Sequence, residues 1–299
     1  MWPVCPAAEQ PTPHFTFPVL STFSAILLGL GSNRNALRAG VYDPDVFLTD
    51  EQVATYHREG YVVLGVVADT QGVAALLEAE ARFRPCPDQA FATSGAESKL
   101  LVRDQLSNQS EAVRRFVTEG PHLEPVVQVL GPNVAFTHTQ FITKLPDDGD
   151  VHSFIPLHQD DGYGTLDPPL DVTVWTALTD TDEHNGCLVV VPRSHLDGVL
   201  DHGRAANNPA LRAVEATGAI PIPLAAGEAV LFSGLTLHGS GPNRSPQHRV
   251  GMHARYCHPG VRMVTMDDRP VLDDPHSWMV RGEAPADAWA SANHLFTES

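Results

Sequence analysis

Hydrophobic and polar positions change their period once along this chain, near residue 133. Before that point apolar residues recur at helical spacing, and after it they alternate. Val73, Leu76, Leu77 and Ala81 share one helical face and predict a helix over about 70–84. Thr49-Asp50-Glu51-Gln52 has the form of a capping box, in which the Thr and Gln side chains satisfy each other's backbone N–H. It predicts a helix through Arg58 that Gly60 stops, followed by a strand over 61–67. The stretches 110–118 and 121–130 predict two more helices, parted by Gly120.

From residue 133 the pattern is β, over 133–144, 154–159, 170–178, 187–191, 219–224, 228–232, 235–239 and 247–258. Asn185-Gly186 predicts a hairpin turn between two of these strands. Short strands with helices ahead of them predict a mainly β fold with flanking helices. The expected architecture is a double-stranded β-helix, a jelly-roll, cupin-like barrel whose mouth can hold a metal. Residues 1–45, rich in Pro, Ser, Gly and Asn, read as an N-terminal extension, and 46–299 as a single domain. Two polar, irregular stretches, 85–107 and 193–218, predict lid-like loops at the barrel mouth. Past residue 260 an irregular tail begins, with Asp267, Asp268, Asp273 and Asp274, and Trp278 and Trp289 are its candidate anchors.

A net charge of −17 with only two lysines, Lys99 and Lys144, excludes a phosphate-tracking surface, so nucleic acid is not an expected partner. The four cysteines contain no C-x-x-C pair, which argues against a zinc ribbon or disulfide scaffold and fits a reducing compartment. The apolar run 17–31 is broken by Ser, Thr and Gly, is shorter than a membrane span and has no basic start. A cytoplasmic protein with a small-molecule substrate and no membrane partner is expected.

Candidate chemistry centres on Leu157-His158-Gln159-Asp160. Residues two apart on a strand share a face, so the imidazole and the carboxylate of His158 and Asp160 would project together. With one more His they would complete the facial triad of non-haem Fe(II) sites. A His two residues before an acid occurs at His57, His122, His158 and His195. Of these, His158 has the strand context, and His238, which ends a turn-strand-strand run, is its plausible partner. Read alone, His238 is better taken as an ordinary core histidine donating to a carbonyl. Arg249 follows on an alternating run, and its guanidinium suits bidentate capture of a carboxylate, although it could also neutralise a barrel carboxylate. Asp161 reads as a solvated surface acid, Trp175 as core, and His195 and Asp197 as loop-shaping residues. Two His and an acid also bind zinc, and a barrel can bind without catalysing, so a hydrolase and a cupin-like binding protein stand beside an oxygenase.

Over roughly residues 47–260 several blocks, in order, resemble the phytanoyl-CoA dioxygenase family of Fe(II)/2-oxoglutarate oxygenases. Leu157-His158-Gln159-Asp160 looks like its H-x-D block, and Val174 to Leu178 with Asn185 to His195 resembles its central hairpin. Gly227 to Gly241 resembles its G-[DE]…LF…HGSG block, and Arg249 and Ile142-Thr143-Lys144 fall at further family positions. The resemblance implies iron on His158, Asp160 and His238, with 2-oxoglutarate and O2 as cosubstrates. It places the far carboxylate of 2-oxoglutarate on Arg249, aided by Ser240 or Lys144, with Trp175 and Gln140 alongside. It implies decarboxylation to succinate and CO2 coupled to C–H hydroxylation, because related halogenases have a small residue in place of Asp160. Desaturation or ring formation are alternative outcomes of the same chemistry.

Two positions depart from the pattern. Gly251 stands where many related oxygenases place a Ser, and Arg193 replaces the Gly of a P-G-[ST]-H turn. The family name suggests an acyl-CoA, but 145–192 contains no Lys or Arg and is rich in Asp. A small polar or amphipathic metabolite is therefore the expected substrate.

Overall fold

The computed structural model describes residues 46–83, 99–147, 153–162, 166–204, 212–263, 269–270 and 277–284. The expected extension 1–45, the apolar run 17–31, Trp289 and the acidic tail residues lie outside these. The helical half contains α1 (Asp50–Glu59), β1 (Tyr61–Val66), α2 (Thr70–Phe83), β2 (Leu100–Asp104), α3 (Glu111–Glu119) and α4 (Leu123–Leu130). The β half runs β3 (Val134–Lys144), β4 (Ile155–His158), β5 (Leu166–Asp167), β6 (Asp171–Ala177) and β7 (Leu188–Val190). It continues through β8 (Gly203–Arg204), β9 (Arg212–Ala213), β10 (Ile220–Ile222), β11 (Glu228–Ser233) and β12 (His238–Ser240). It ends with β13 (Arg249–Cys257), β14 (Arg262–Met263), β15 (Arg269–Pro270) and β16 (Trp278–Arg281).

The capping box forms as expected. Gln52 N donates to Thr49 Oγ1, Thr49 N donates to Gln52 Oε1, and Gly60 ends α1 at φ 85°.

Two antiparallel sheets face each other. The larger has seven strands in the order β1-β11-β6-β13-β3-β16, with β2 also on β3, and the smaller runs β10-β7-β12-β4. This is the expected jelly-roll architecture. Period-2 alternation splits the large sheet into two buried faces. Val172 and Val174 of β6, with Met252, Ala254 and Tyr256 of β13, join Leu76, Phe116, Leu123 and Val126 of the helices in the main core. The intervening Trp175 and Ala177, with Val230 and Phe232, face the small sheet's Leu188, Val190 and Ile222. Every residue of β6 is buried as a result. Each aliphatic side chain so buried is worth about 1.5–3 kcal/mol. A buried polar pin locks helices to sheet: Tyr256 Oη donates to Val117 O at 2.9 Å and lies 2.7 Å from His122 Nε2.

Three expectations need correction. Asn185-Gly186 does not close a hairpin, because β6 and β7 belong to different sheets. Asn185 instead exchanges two hydrogen bonds with Asp182, and Gly186 supplies φ 77° for the crossover. Within 85–107, residues 100–104 form β2, paired to β3, and a 3-10 turn follows over Leu106–Asn108. The short strand expected over 235–239 begins only at His238. In 193–218, a 3-10 turn over Ser194–Asp197 and the β8–β9 pair are described. Trp278 is buried and stacks on Phe136, which ties β16 to β3 as an anchor would.

Candidate active site

β12 lies between β7 and β4, and its register sets His238 directly opposite His158. Their rings sit 4.3 Å apart between centroids. The strand-face argument for Asp160 does not hold, since β4 ends at His158 and Asp160 opens a one-turn 3-10 helix. That turn, rather than strand alternation, swings the carboxylate back toward the rings. Asp160 Oδ1 lies 3.5 Å from His238 Nε2 and 3.9 Å from His158 Nε2. Among the described residues, these three form the one His/Cys/Asp/Glu group close enough to share a metal ion, with ligand atoms all within 4.8 Å.

Both rings are oriented by the same local device. His158 Nδ1 is 2.9 Å from Pro156 O, and His238 Nδ1 is 2.9 Å from Thr236 O, each carbonyl two residues back. A carbonyl only accepts, so each Nδ1 carries the proton and each Nε2 keeps its lone pair for a metal. Burial, then the neighbouring His238, pushes His158 down to about 3, so the ring stays neutral. Burial works against ionisation of Asp160, but His238, His253, Arg255 and His158 outweigh it and hold the carboxyl below the usual range. Thr173 Oγ1 donates to its Oδ2 at 2.5 Å and leaves Oδ1 facing the histidines.

The turn carrying Asp160 is braced from both sides. Gln159, fully buried, donates from its amide to Gly198 O and Leu235 O and accepts from Leu200 N. Its backbone N–H goes to His202 Nε2 at 2.9 Å. Asp161, expected at the surface, is 1 % exposed. It shares Arg255 with buried Asp171, which accepts from Arg255 Nε at 2.5 Å. Two carboxyls around one guanidinium leave an excess negative charge in a dry site, so burial and Asp171 push Asp161 up to about 8.

The triad opens onto a cavity of about 310 Å³. Arg249, Trp175, Ser240 and Gln140 all line it, together with His138, His253 and Arg255. Arg249 is 1 % exposed, and its guanidinium donates once, to Gly186 O at 2.9 Å. Its Nε and Nη1 are buried without a partner. Among the described residues no carboxylate pairs with it. Trp175 stands over it at 5.5 Å, and burial lowers its pKa to about 10. Lys144, opposite Arg249 in register, is a second buried basic group, its pKa pushed well down by burial and then by Arg249. It does not line the cavity: its Nζ donates to the carbonyls of Ser240 and Gly241. A buried guanidinium with two unused donors makes a site that lacks an anion, the chemistry a dicarboxylate supplies.

Gln140 turns its amide to Asp104 Oδ1 at 2.7 Å. Gly251 is explained by packing, because a Cβ there would lie 2.3 Å from Trp175 Cζ2. Arg193 keeps the backbone of the Gly it replaces, at φ 67°, with its N–H on Glu59 O. His195 shapes the adjoining loop, with Nε2 3.1 Å from His57 O. His253 and Arg255 escaped the sequence reading. Their signal is i+4 and i+6 spacing from Arg249 on one strand, which puts them on its inward face.

A family model described as "Phytanoyl-CoA dioxygenase (PhyH)" matches residues 56–251. The human protein named "Phytanoyl-CoA dioxygenase, peroxisomal" is 30% identical over 173 residues, covering 54% of this chain and 51% of its own length. Its rat counterpart is 29% identical over 230 residues, covering 70% and 68% respectively. The chain thus spans about half the length of the human relative. Among solved structures, the apo non-heme monooxygenase ThoJ matches with TM-score 0.61 at 21% identity, covering 81% of this chain and 95% of that one. The epimerase SnoN, in complex with Fe3+, alpha ketoglutarate and nogalamycin RO, matches with TM-score 0.60 at 23% identity, covering 74% and 86%. These likenesses confirm the fold.

Proposed function

The chain belongs to the phytanoyl-CoA dioxygenase family, and from that premise we propose that it is an Fe(II)/2-oxoglutarate-dependent oxygenase that hydroxylates a C–H bond of a small metabolite. The observation that carries this reading is the pairing of a buried His-Asp-His group with a buried, unsatisfied Arg249 in one cavity. A zinc hydrolase needs the first and leaves the second unexplained. A cupin-like binding protein needs neither the open triad nor the oriented Nε2 atoms.

In this reading His158, Asp160 and His238 hold the iron, and Arg249 takes the far carboxylate of 2-oxoglutarate. When bound, iron with 2-oxoglutarate and O2 supplies the oxidising power that converts R–H to R–OH while 2-oxoglutarate becomes succinate and CO2. The chain's own contribution is placement. Pro156 O and Thr236 O fix the tautomers, Thr173 fixes the carboxylate, and Trp175 confines the guanidinium. Leu188, Phe232, Ile142 and Ile155 line the rest of the cavity and keep stray water from the reacting centre. The carboxylate of Asp160 occupies the position that chloride takes in related halogenases, which favours hydroxylation.

The small-metabolite substrate is supported by the cavity's volume and by the scarcity of cationic groups outside the Arg249 end. Among the described residues no helix is long and apolar enough to cross a membrane. Cys187 and Cys257 are free and buried, which supports a reducing, cytoplasmic setting. Anaerobic titration with Fe(II) and 2-oxoglutarate tests the reading. A visible metal-to-ligand charge-transfer band is expected, and a protein that binds both without one is not this kind of enzyme.

A further inference from the structure

Besides the triad, Arg249, Trp175 and Ser240, four polar side chains line the cavity: His138, Gln140, His253 and Arg255. They form a tile. His138 and Gln140 are two apart on β3, and His253 and Arg255 are two apart on β13. The register sets His253 opposite Gln140 and Arg255 opposite His138. Alternation therefore places all four on the inward face of neighbouring strands. The rings of His138 and His253 meet edge to face at 5.8 Å.

The tile stands apart from the cosubstrate end. His253 is four residues beyond Arg249 on one strand, roughly 13 Å along it. Arg255 pairs in register with Thr173, the residue bonded to Asp160, so the tile adjoins the carboxylate side of the triad.

Three of the four side chains are already engaged. Arg255 is held by Asp161 and Asp171. Gln140 Nε2 donates to Asp104 Oδ1 at 2.7 Å, and His138 Nε2 lies 3.5 Å from the same oxygen. His253 differs: it is 8 % exposed, lines the cavity, and its Nε2 is buried with no partner. An imidazole nitrogen left dry and unpaired is destabilising unless something completes it. Beside the tile, Val102 and Ile142, paired between β2 and β3, continue the wall as apolar surface.

We infer that His253 is a specificity-determining contact for the primary substrate, receiving a hydroxyl group on a neutral hydrocarbon skeleton that packs against Val102 and Ile142. A hydroxyl both donates and accepts hydrogen bonds, so it satisfies Nε2 in either tautomer. A carboxylate or phosphate does not fit here, because the one cation of the tile is spent on Asp161 and Asp171 and Asp104 stands close by. This inference rests on the oxygenase reading above.

The test uses three probes with one skeleton, decahydro-2-naphthol, decahydro-2-naphthoate and the CoA thioester of that acid, each at millimolar concentration. Succinate release is measured above the rate without probe. With wild-type protein the alcohol is expected to raise release most. His253→Leu, which fills the space without a hydrogen bond, raises the alcohol's KM about tenfold, and His253→Gln stays within about threefold of wild type. Stronger stimulation by the acid or the thioester overturns the inference. So does no response to the alcohol, or an alcohol KM unchanged in His253→Leu. Loss of the charge-transfer band in wild-type protein refutes instead the oxygenase reading beneath it, so the two failures are separable.

Discussion

His158 and His238 face each other across one β-ladder, each with Nδ1 bonded to the carbonyl two residues before it. This symmetry makes the metal-binding prediction specific. His158→Ala, Asp160→Ala and His238→Ala should each abolish Fe(II)-dependent 2-oxoglutarate turnover with the fold retained. Thr173→Val should be milder, weakening Fe(II) binding about tenfold, because it frees Asp160 to rotate without removing a ligand. Iron titrations followed by succinate assays decide it, and full activity in any triad variant removes that residue from the set.

Arg249→Ala should chiefly raise the 2-oxoglutarate requirement, by about a hundredfold, since a buried charge-assisted contact is lost. Lys144→Met should move it less, because Lys144 spends its donors on Ser240 O and Gly241 O. The reverse order, read from 2-oxoglutarate KM values, would place the far carboxylate on Lys144.

Gly251→Ser should not restore the Ser common in related oxygenases. The new Cβ collides with Trp175, so a stability loss of about 1–3 kcal/mol is expected in denaturant melts, with weaker 2-oxoglutarate binding. Adding Trp175→Leu should recover part of the stability. A neutral Gly251→Ser variant would show that the ring has room to move.

Arg193→Gly should stabilise the protein by up to about 1 kcal/mol. A non-glycine residue at φ 67° pays a steric penalty that exceeds the extra chain entropy of glycine. Equilibrium unfolding checks the sign, and destabilisation would mean that the Arg193 side chain makes a compensating contact.

His122 gives a pH-dependent prediction remote from the active site. Burial, then Arg281, lowers its pKa to about 3, below its ordinary value of 6.5. Between those values only the unfolded chain takes up the proton, so its contribution to stability is full above pH 6.5 and lost as pH falls. The stability advantage of wild type over His122→Gln should shrink by about 1.4 kcal/mol per pH unit between pH 6 and 4. A pH-independent difference would contradict a neutral buried imidazole.

The barrel was legible because β6, β11 and β13 carry long β-type runs whose burial on both faces follows from the helices packed outside. β2 was not, since Arg103 and Asp104 break the apolar pattern of Leu100-Leu101-Val102 and its pairing to β3 is a long-range fact. The triad could be read from residue type, but for a partly mistaken reason: Asp160 reaches the histidines through a turn, not through strand alternation. Asp161 was misjudged because its partner Arg255 lies 94 residues away. Asn185-Gly186 looks locally like any hairpin turn, and only the sheet assignment of the flanking strands reveals a crossover.

The triad draws on both sheets. His158 and His238 belong to the small sheet, whereas the carboxylate of Asp160 is fastened to Thr173 on the large one. An ion gripped by all three is therefore a rivet through the sandwich. Chelating it should loosen the small sheet first, with amide exchange quickening in β7, β10 and β12 while β3 and β13, clamped by the helices, stay protected. Cofactor supply would then set mechanical integrity as well as turnover.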